Sequence, residues 1–168
     1  MMILALAVVI LGFATSDRSG GPSGSGQSAA DASDIVVRVV DGDTVVLRSA
    51  GKSRLIGVDT PEVFGRPGCF GREASAYAKR TLRPDLPVKV ERDVEPRDRY
   101  GRSLIYLTLR DGRSFNELLV GEGFAVPLTI PPNVRYAERF RQLANRAREH
   151  RAGLWSPTTC DGRQDGSS

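Results

Sequence analysis

Three short segments rich in β-branched residues, separated by tight turns, constrain the fold of this chain more than any other feature. They are IVVRVV (35–40), TVVLRS (44–49) and SRLIGVDT (53–60). Asp41-Gly42 between the first two is typical of a hairpin turn, and Gly51 provides a second tight turn. Pro61 holds the residue before it in an extended conformation and ends the third segment. The pattern predicts three consecutive strands joined by hairpins.

The rest of the chain adds two strands and three helices to this pattern. The strand-like runs are VKVERDV (88–94) and SLIYLTL (103–109). Apolar residues at helical spacing predict helices over 72–83, 114–122 and 134–151. Five strands with helices packed on them are the order expected of a small, partly open β-barrel with appended helices, an α+β fold.

The first 33 residues show no pattern that could build a core. Residues 1–14 are almost entirely apolar, too short for a membrane span of about 20 residues, and similar to the apolar region of a secretory signal. No Lys or Arg precedes them, so an uncleaved anchor is the alternative. We therefore predict a signal peptide or N-terminal anchor over 1–16, a flexible Gly/Ser-rich linker over 17–33, one folded domain over 34–160 and a disordered tail over 161–168.

The predicted location follows from the same segment. The protein is expected to be secreted and extracellular, or tethered to the outer face of the cell membrane through residues 1–14. In an exported chain, an even number of cysteines favours a disulfide over a metal site, and Cys69 and Cys160 are the two cysteines present. Two unrelated buried thiols are the alternative. We predict a monomer without a stable protein partner.

The residue types exclude several kinds of catalytic site. His150 is the single histidine and lies near the end of an Arg-rich helix, so neither a zinc site nor a Ser-His-Asp system is expected. The Gly-rich phosphate loop that ends in Gly-Lys-Ser/Thr is absent from the sequence. A net charge of +4 and an isoelectric point near 9.4 are compatible with a polyanionic partner, although this is a weak signal. Any chemistry must therefore use carboxylates, arginines and a hard metal ion.

Two aspartates are the first candidates for such a site. Asp43 begins the second predicted strand and Asp59 ends the third, so a hairpin that turns near Gly51 places them at the same end. Clustered carboxylates repel unless a cation joins them, and oxygen ligands select calcium or magnesium. The alternative is that Asp-Gly-Asp at 41–43 serves only the turn.

Arginines supply the second group of candidates. Arg54 lies in an otherwise apolar strand, where its guanidinium needs a phosphate or a carboxylate as partner. A strand arginine that faces the surface is the alternative. The loop RDRYGR (97–102) combines three arginines with a tyrosine around a turn glycine, which is typical of a phosphate-binding loop and also of an ordinary polar hairpin.

Together these segments resemble the staphylococcal-nuclease (thermonuclease) family. The resemblance is carried, in order along the chain, by VVDGDTVVL (39–47), RLIGVDTPE (54–62), GREASAYAKR (71–80), DRYGRSLIY (98–106), FNELLVGEGFA (115–125) and GLW (153–155). It implies a five-stranded OB-fold barrel with three α-helices. It also implies a calcium-dependent phosphodiesterase, an endo- and exonuclease that hydrolyses DNA and RNA to 3′-phosphate products.

The resemblance implies a role for each candidate residue. The catalytic trio would be Arg54, Glu62 and Arg102. Calcium (Ca²⁺) would be held by the side chains of Asp43 and Asp59 and by the main-chain carbonyl of Thr60. Such a site is physically sensible because cleavage of a phosphodiester builds negative charge that fixed cations stabilise.

Substrate binding and the disulfide also follow from the resemblance. Arg99 and Tyr100 match positions that contact a terminal phosphate. The family prototype has base-stacking tyrosines near the positions of Leu128 and Ile130, so weaker substrate binding is expected here. Relatives with a similar CFGREA segment and a cysteine after GLW support a Cys69–Cys160 bridge.

Two other functions are compatible with parts of this pattern. A non-catalytic OB-fold module could bind nucleic acid without cleaving it. Such a module has no reason to keep the catalytic trio together with both aspartates, so the enzyme is favoured. A calcium-binding structural domain would explain the aspartates and leave the arginines without a role.

Overall fold

The computed structural model describes residues 32–164. The predicted signal peptide or anchor, the linker up to residue 31 and the last residues of the predicted tail lie outside this range. Within the described range, none of the helices has both the length and the apolar character needed to cross a membrane.

Five strands form a closed barrel, which confirms the predicted five-stranded architecture. They are β1 (Ala32–Val39), β2 (Thr44–Leu47), β3 (Gly51–Leu55), β5 (Pro87–Glu91) and β6 (Ser103–Thr108), in the order β1-β2-β3-β6-β5. The pairs are antiparallel except for β3 and β6, which run parallel.

The barrel is closed rather than partly open because β1 pairs on both sides. Its first half, Ala32 to Ile35, pairs with β5, and its second half pairs with β2. The carboxylate of Asp34 accepts hydrogen bonds from the main-chain amides of Ser49 (2.9 Å) and Ala50 (2.8 Å), which ties β1 to the β2–β3 turn. Ala32 and Ser33, which belong to the segment predicted to be a linker, are part of β1 and pair with β5.

The third predicted strand is interrupted, and this break builds one wall of the site described below. The chain leaves β3 at Leu55 and resumes as β4 (Gly57–Asp59), which pairs outside the barrel with β7 (Val126–Leu128). Gly57 has a φ of +79°, and a Cβ there would lie 2.3 Å from the Phe140 ring. Only glycine fits this bend beneath the last helix.

Three helices pack around the barrel, as predicted, and complete its core. They are α1 (Gly71–Thr81), α2 (Phe115–Gly121) and α3 (Ala137–Glu149), followed by a 3-10 turn at Gly153–Trp155. Ser114 caps α2 through its hydroxyl, which accepts from the Glu117 amide. Most of the largest fully buried side chains come from the strands and from α2 and α3, among them Val36, Leu47, Ile105, Phe115 and Phe140.

The end of the described chain is folded against the domain. Residues 161–164 belong to the segment predicted to be disordered, yet the amide of Gly162 donates to the carbonyl of Leu154 (2.8 Å). Gln164 forms hydrogen bonds with the main chain of Asp59 and of Cys69. The composition of this segment gave no indication of these contacts.

Candidate active site

Arg54 lies between the two aspartates that were predicted to bind a metal ion. The register that pairs Thr44 with Arg54 brings Asp43 next to the guanidinium. Its Nη2 lies 3.2 Å from Oδ2 of Asp43 and 2.9 Å from Oδ1 of Asp59. Its Nη1 donates to the carbonyls of Leu55 (3.1 Å) and Val58 (2.8 Å). Because the chain bends at the β3–β4 break, these carbonyls and Asp59 converge on one buried cation.

Asp43 is buried and is held by hydrogen bonds as well as by this ion pair. Its Oδ2 accepts from the amide (2.8 Å) and the hydroxyl (2.9 Å) of Thr60. Burial raises the pKa of Asp43 to about 6, against the lowering influence of Arg54 and Thr60. A Cβ at Gly42 would lie 2.6 Å from the Thr60 hydroxyl, so this glycine permits the approach of Thr60 to Asp43. The Asp-Gly-Asp segment therefore does more than form a turn.

Arg102 is positioned by Asp98, a residue of the RDRYGR loop for which no role was predicted from the sequence. The main-chain amide and the Nε of Arg102 donate to the two oxygens of Asp98, at 2.9 and 2.6 Å. Burial would raise the pKa of Asp98, but the hydrogen bonds from Arg102 outweigh it and lower that pKa. Among the described residues, no protein group hydrogen-bonds to Nη1 or Nη2 of Arg102. The spacing Asp-x-x-x-Arg around a turn glycine is the signal that could have identified this pair.

The predicted catalytic and metal-binding residues line one small cavity of about 80 Å³. They are Arg54, Glu62, Arg102, Asp43, Asp59 and Thr60. Asp41 lines the same cavity and was not predicted to do so. The side chain of Glu62 is exposed, while its main-chain carbonyl accepts from the amide of Gly68 (2.8 Å). The fold thus brings together residues that are separated by as much as half the domain in sequence.

The oxygen donors of this cavity fit a hard divalent cation. Within residues 32–164, no three His, Cys, Asp or Glu side chains converge in a way that could hold a metal ion. The predicted ligands among the lining residues are the carboxylates of Asp43 and Asp59 and the main chain of Thr60, so an ion bound by these groups would complete its shell with water. Arg54 now neutralises both carboxylates, and a cation would share them with its guanidinium.

The predicted substrate-binding residues line a second, larger cavity next to the first. It has a volume of about 530 Å³, and Arg54 and Arg102 border both cavities. The Arg99 guanidinium lies over the ring of Tyr100, 4.8 Å from its centre, and donates to its hydroxyl (2.6 Å). Leu128 and Ile130 form an exposed apolar wall opposite these polar groups.

Cys69 and Cys160 form a disulfide that joins the loop after Glu62 to the C-terminal segment. Cys160 is buried. A disulfide is typical of proteins that work in oxidising compartments, and it favours an extracellular location.

Comparison with known proteins shows which family the chain resembles. Residues 52–157 match the family model described as "Staphylococcal nuclease homologue". The chain is 37% identical over 164 residues to a thermonuclease of Staphylococcus hyicus, covering 93% of this chain and 95% of the relative. It is 36% identical over 162 residues to a thermonuclease of Staphylococcus intermedius, covering 92% and 95%.

A more distant relative shares the same region. Endonuclease YncB of Bacillus subtilis (strain 168) is 34% identical over 127 residues, which cover 71% of this chain and 59% of that protein. The barrel, the cavity and these matches agree, and the chain belongs to the family of staphylococcal nuclease homologues.

Proposed function

We propose that this protein is a calcium-dependent nuclease that hydrolyses phosphodiester bonds of DNA and RNA and leaves 3′-phosphate products. The observation that carries the proposal is the cavity that Arg54, Arg102 and Glu62 line together with Asp43 and Asp59. The names of the relatives, thermonuclease and endonuclease, support it.

Arg102 is the group best prepared to bind the scissile phosphate. Asp98 orients it through the Nε and the main chain, and its terminal nitrogens have no hydrogen-bond partner in the described part of the protein. A guanidinium presents two parallel donors that match the non-bridging oxygens of a phosphate. These oxygens gain negative charge when the phosphorus becomes five-coordinate, so a fixed cation stabilises that state more than the ground state.

Glu62 is the group placed to activate water. Glu62 is exposed and lines the cavity together with the two arginines, so a water molecule can reach its carboxylate. The water gives a proton to Glu62, and its oxygen forms a new bond to phosphorus. The bond from phosphorus to the 5′-oxygen breaks, and that oxygen takes up a proton from solvent, so the other product keeps the phosphate on its 3′ end.

Asp43, Asp59 and the carbonyl of Thr60 would hold the calcium ion. When bound, the ion supplies positive charge at the phosphate. Arg54 forms ion pairs with both carboxylates and holds them close together, and it adds a second cation at the border of the two cavities. The same carboxylates therefore orient Arg54 and provide the ligands.

Digestion of nucleic acid by the purified protein tests this proposal. Plasmid DNA and a single-stranded RNA are incubated with calcium, with chelator, and with the Glu62→Gln variant. We expect cleavage in calcium, loss of cleavage in chelator, and a rate about 10²- to 10⁴-fold lower for Glu62→Gln. Glu73→Gln is the control, because Glu73 is an exposed carboxylate in the first turn of α1 and lies outside the cavity.

Undiminished cleavage in chelator or by Glu62→Gln would contradict the mechanism. Binding of nucleic acid without cleavage in every condition would favour the alternative, a non-catalytic OB-fold module.

The larger cavity is proposed to bind the nucleotide, with Arg99 and Tyr100 at the terminal phosphate. Its wall offers Leu128 and Ile130 where stacking would require aromatic rings. Stacking of a base on an aromatic side chain is worth about 1–3 kcal/mol. We therefore expect Ile130→Tyr to bind a nucleoside 3′,5′-bisphosphate about 5- to 100-fold more tightly than the wild type, measured by calorimetry.

Val37→Tyr is the control for this measurement. Val37 is an exposed side chain on β1 that does not line the cavity, so its substitution should leave affinity unchanged. An unchanged affinity for Ile130→Tyr would show that this wall does not contact the base.

A further inference from the structure

The C-terminal segment 160–164, which we call the strap, contacts both ends of the loop that carries Glu62. That loop runs from Asp59, at the end of β4, to Cys69, just before α1. Nε2 of Gln164 donates to the main-chain carbonyl of Asp59 (3.0 Å). The main-chain carbonyl of Gln164 accepts from the amide of Cys69 (3.1 Å). A single residue thus fixes the distance between the two ends of the loop.

The strap also packs against the inside of the loop, next to the backbone of Glu62. A Cβ at Gly68 would lie 2.3 Å from the carbonyl oxygen of Gln164 and 2.9 Å from the Cβ of Pro61. The amide of Gly68 donates to the carbonyl of Glu62 (2.8 Å). Gln164, Gly68 and Glu62 therefore form a continuous series of contacts, in which any side chain at position 68 would collide with Gln164 and Pro61.

The strap is itself held to the domain at two points. The Cys69–Cys160 disulfide anchors its first residue. Gly162 has a φ of +79°, lies flat on the Trp155 ring, and donates through its amide to Leu154. A hydrogen bond from an untethered segment would hold Asp59 only weakly, because ordering that segment costs conformational entropy. The disulfide and the Trp155 contact already restrict the strap, so the hydrogen bonds of Gln164 cost little further conformational entropy.

We infer that Gln164 is a positioning residue for the active site. It holds the backbone of Asp59 and, through Gly68, that of Glu62, and the disulfide is what keeps Gln164 in place. This inference rests on the proposed function, since it assigns the strap to the placement of a metal ligand and of the water-activating carboxylate. The barrel closes without the strap, because the strap contacts none of the barrel pairings. Its contribution should therefore be seen in turnover rather than in global stability.

The first test uses Gln164→Met in the full chain, which keeps the length of the side chain and removes its donor. We expect kcat to fall by roughly 3- to 10-fold, the factor that one hydrogen bond is worth, while KM stays within about 2-fold. Amides of residues 59–69 should exchange with solvent faster, and the thermal midpoint should not change. Gln142→Met is the matched control: Gln142 is exposed on α3 and its side chain donates only to Glu138 of the same helix.

The second test asks whether the disulfide acts through Gln164. The double variant Cys69→Ser/Cys160→Ser should lose at least as much kcat as Gln164→Met. Adding Gln164→Met to it should cause less than about a 2-fold further loss, because two changes in one chain of contacts are not additive. Equal, independent losses would overturn the inference, and so would an unchanged kcat with unchanged exchange in Gln164→Met.

These outcomes are distinguishable from a failure of the proposed function. A wild-type protein that cleaves no nucleic acid would overturn the function. The exchange measurement needs neither substrate nor metal, and it would still support or overturn the hold of Gln164 on the loop.

Discussion

Arg54 and Arg102 border the same two cavities but are held in opposite ways. Arg54 is 14% exposed, and its terminal nitrogens are engaged by two carboxylates and two main-chain carbonyls. Arg102 is 26% exposed and is held through its Nε by Asp98, so its terminal nitrogens face the cavity. The first arginine neutralises buried charge in the resting protein, whereas the second is oriented and left available to an anion.

Because of this difference, the loss of each arginine should affect the stability of the fold to a different extent. Loss of Arg54 would leave Asp43 buried without its counter-ion, and buried unpaired charge destabilises a fold strongly. Loss of Arg102 would leave Asp98 near solvent and still bonded to main-chain amides of its own turn. We therefore expect Arg54 to contribute to stability as well as to the proposed chemistry, and Arg102 to contribute mainly to the proposed chemistry.

The largest effect is expected for Arg54→Ala. It should lower the free energy of unfolding by about 3–5 kcal/mol, because the carboxylate of Asp43 then lacks its partner, and it should abolish most of the nuclease activity. Urea denaturation and plasmid cleavage measure the two losses. Adding Asp43→Asn should recover part of the stability and none of the activity. Wild-type stability in Arg54→Ala would show that the ion pair contributes nothing net to the fold.

A smaller and more selective effect is expected for Arg102→Ala. The value of kcat/KM should fall by about 10²- to 10³-fold, as is usual when a donor to transition-state charge is removed. The free energy of unfolding should change by less than about 1 kcal/mol, because the Asp98 pair is partly exposed. Arg113→Ala is the control, since Arg113 pairs with Asp111 in an exposed turn outside both cavities. A loss of less than 10-fold would remove Arg102 from the proposed mechanism.

The smallest effect concerns the pH dependence of the free energy of unfolding. Asp43, the partner of Arg54, and Asp98, the partner of Arg102, should contribute to it with opposite sign. Burial raises the pKa of Asp43 from 3.8 to about 6 in the folded protein, so its stabilising contribution is complete below about pH 4 and is lost as the pH rises through 6. In chelator, Asp43→Asn should therefore gain stability relative to wild type between pH 5 and pH 7.5, by of the order of 1–3 kcal/mol.

Asp98 should show the opposite pH dependence of stability when its variant is measured by urea denaturation over the same pH range. Its pKa is lowered by Arg102 despite burial, so its contribution is present above its ordinary value of 3.8 and is lost only at lower pH. Asp98→Asn should therefore show no pH-dependent difference from wild type between pH 5 and pH 7.5. A difference that grows with pH for Asp98→Asn, or none for Asp43→Asn, would contradict this assignment.

The candidate residues could be selected from the sequence because they lie in short segments whose order resembles that of a known family, and the fold brings them to one cavity. Their catalytic and metal-binding roles stay predictions. Asp43, Arg54 and Glu62 occur within one hairpin and the turn that follows it, and Arg102 lies in a compact loop. The role of Asp98 was missed, although it belongs to the same loop as Arg102, because the spacing of the two residues is also that of an ordinary polar hairpin. Gln164 gave no signal at all.

Local pattern was sufficient for the five barrel strands and the three helices, because alternation, helical spacing and turn residues act over a few positions. The roles of the site residues came from the resemblance to a family, and they stay predictions. The break after Leu55 depended on long-range packing, since Gly57 must bend beneath Phe140 of α3. Closure of the barrel by both halves of β1 also depended on contacts between segments that are far apart in the sequence. The bond between Gln164 and Asp59 joins residues 105 positions apart, and contacts of that range form only when the chain has folded around its core.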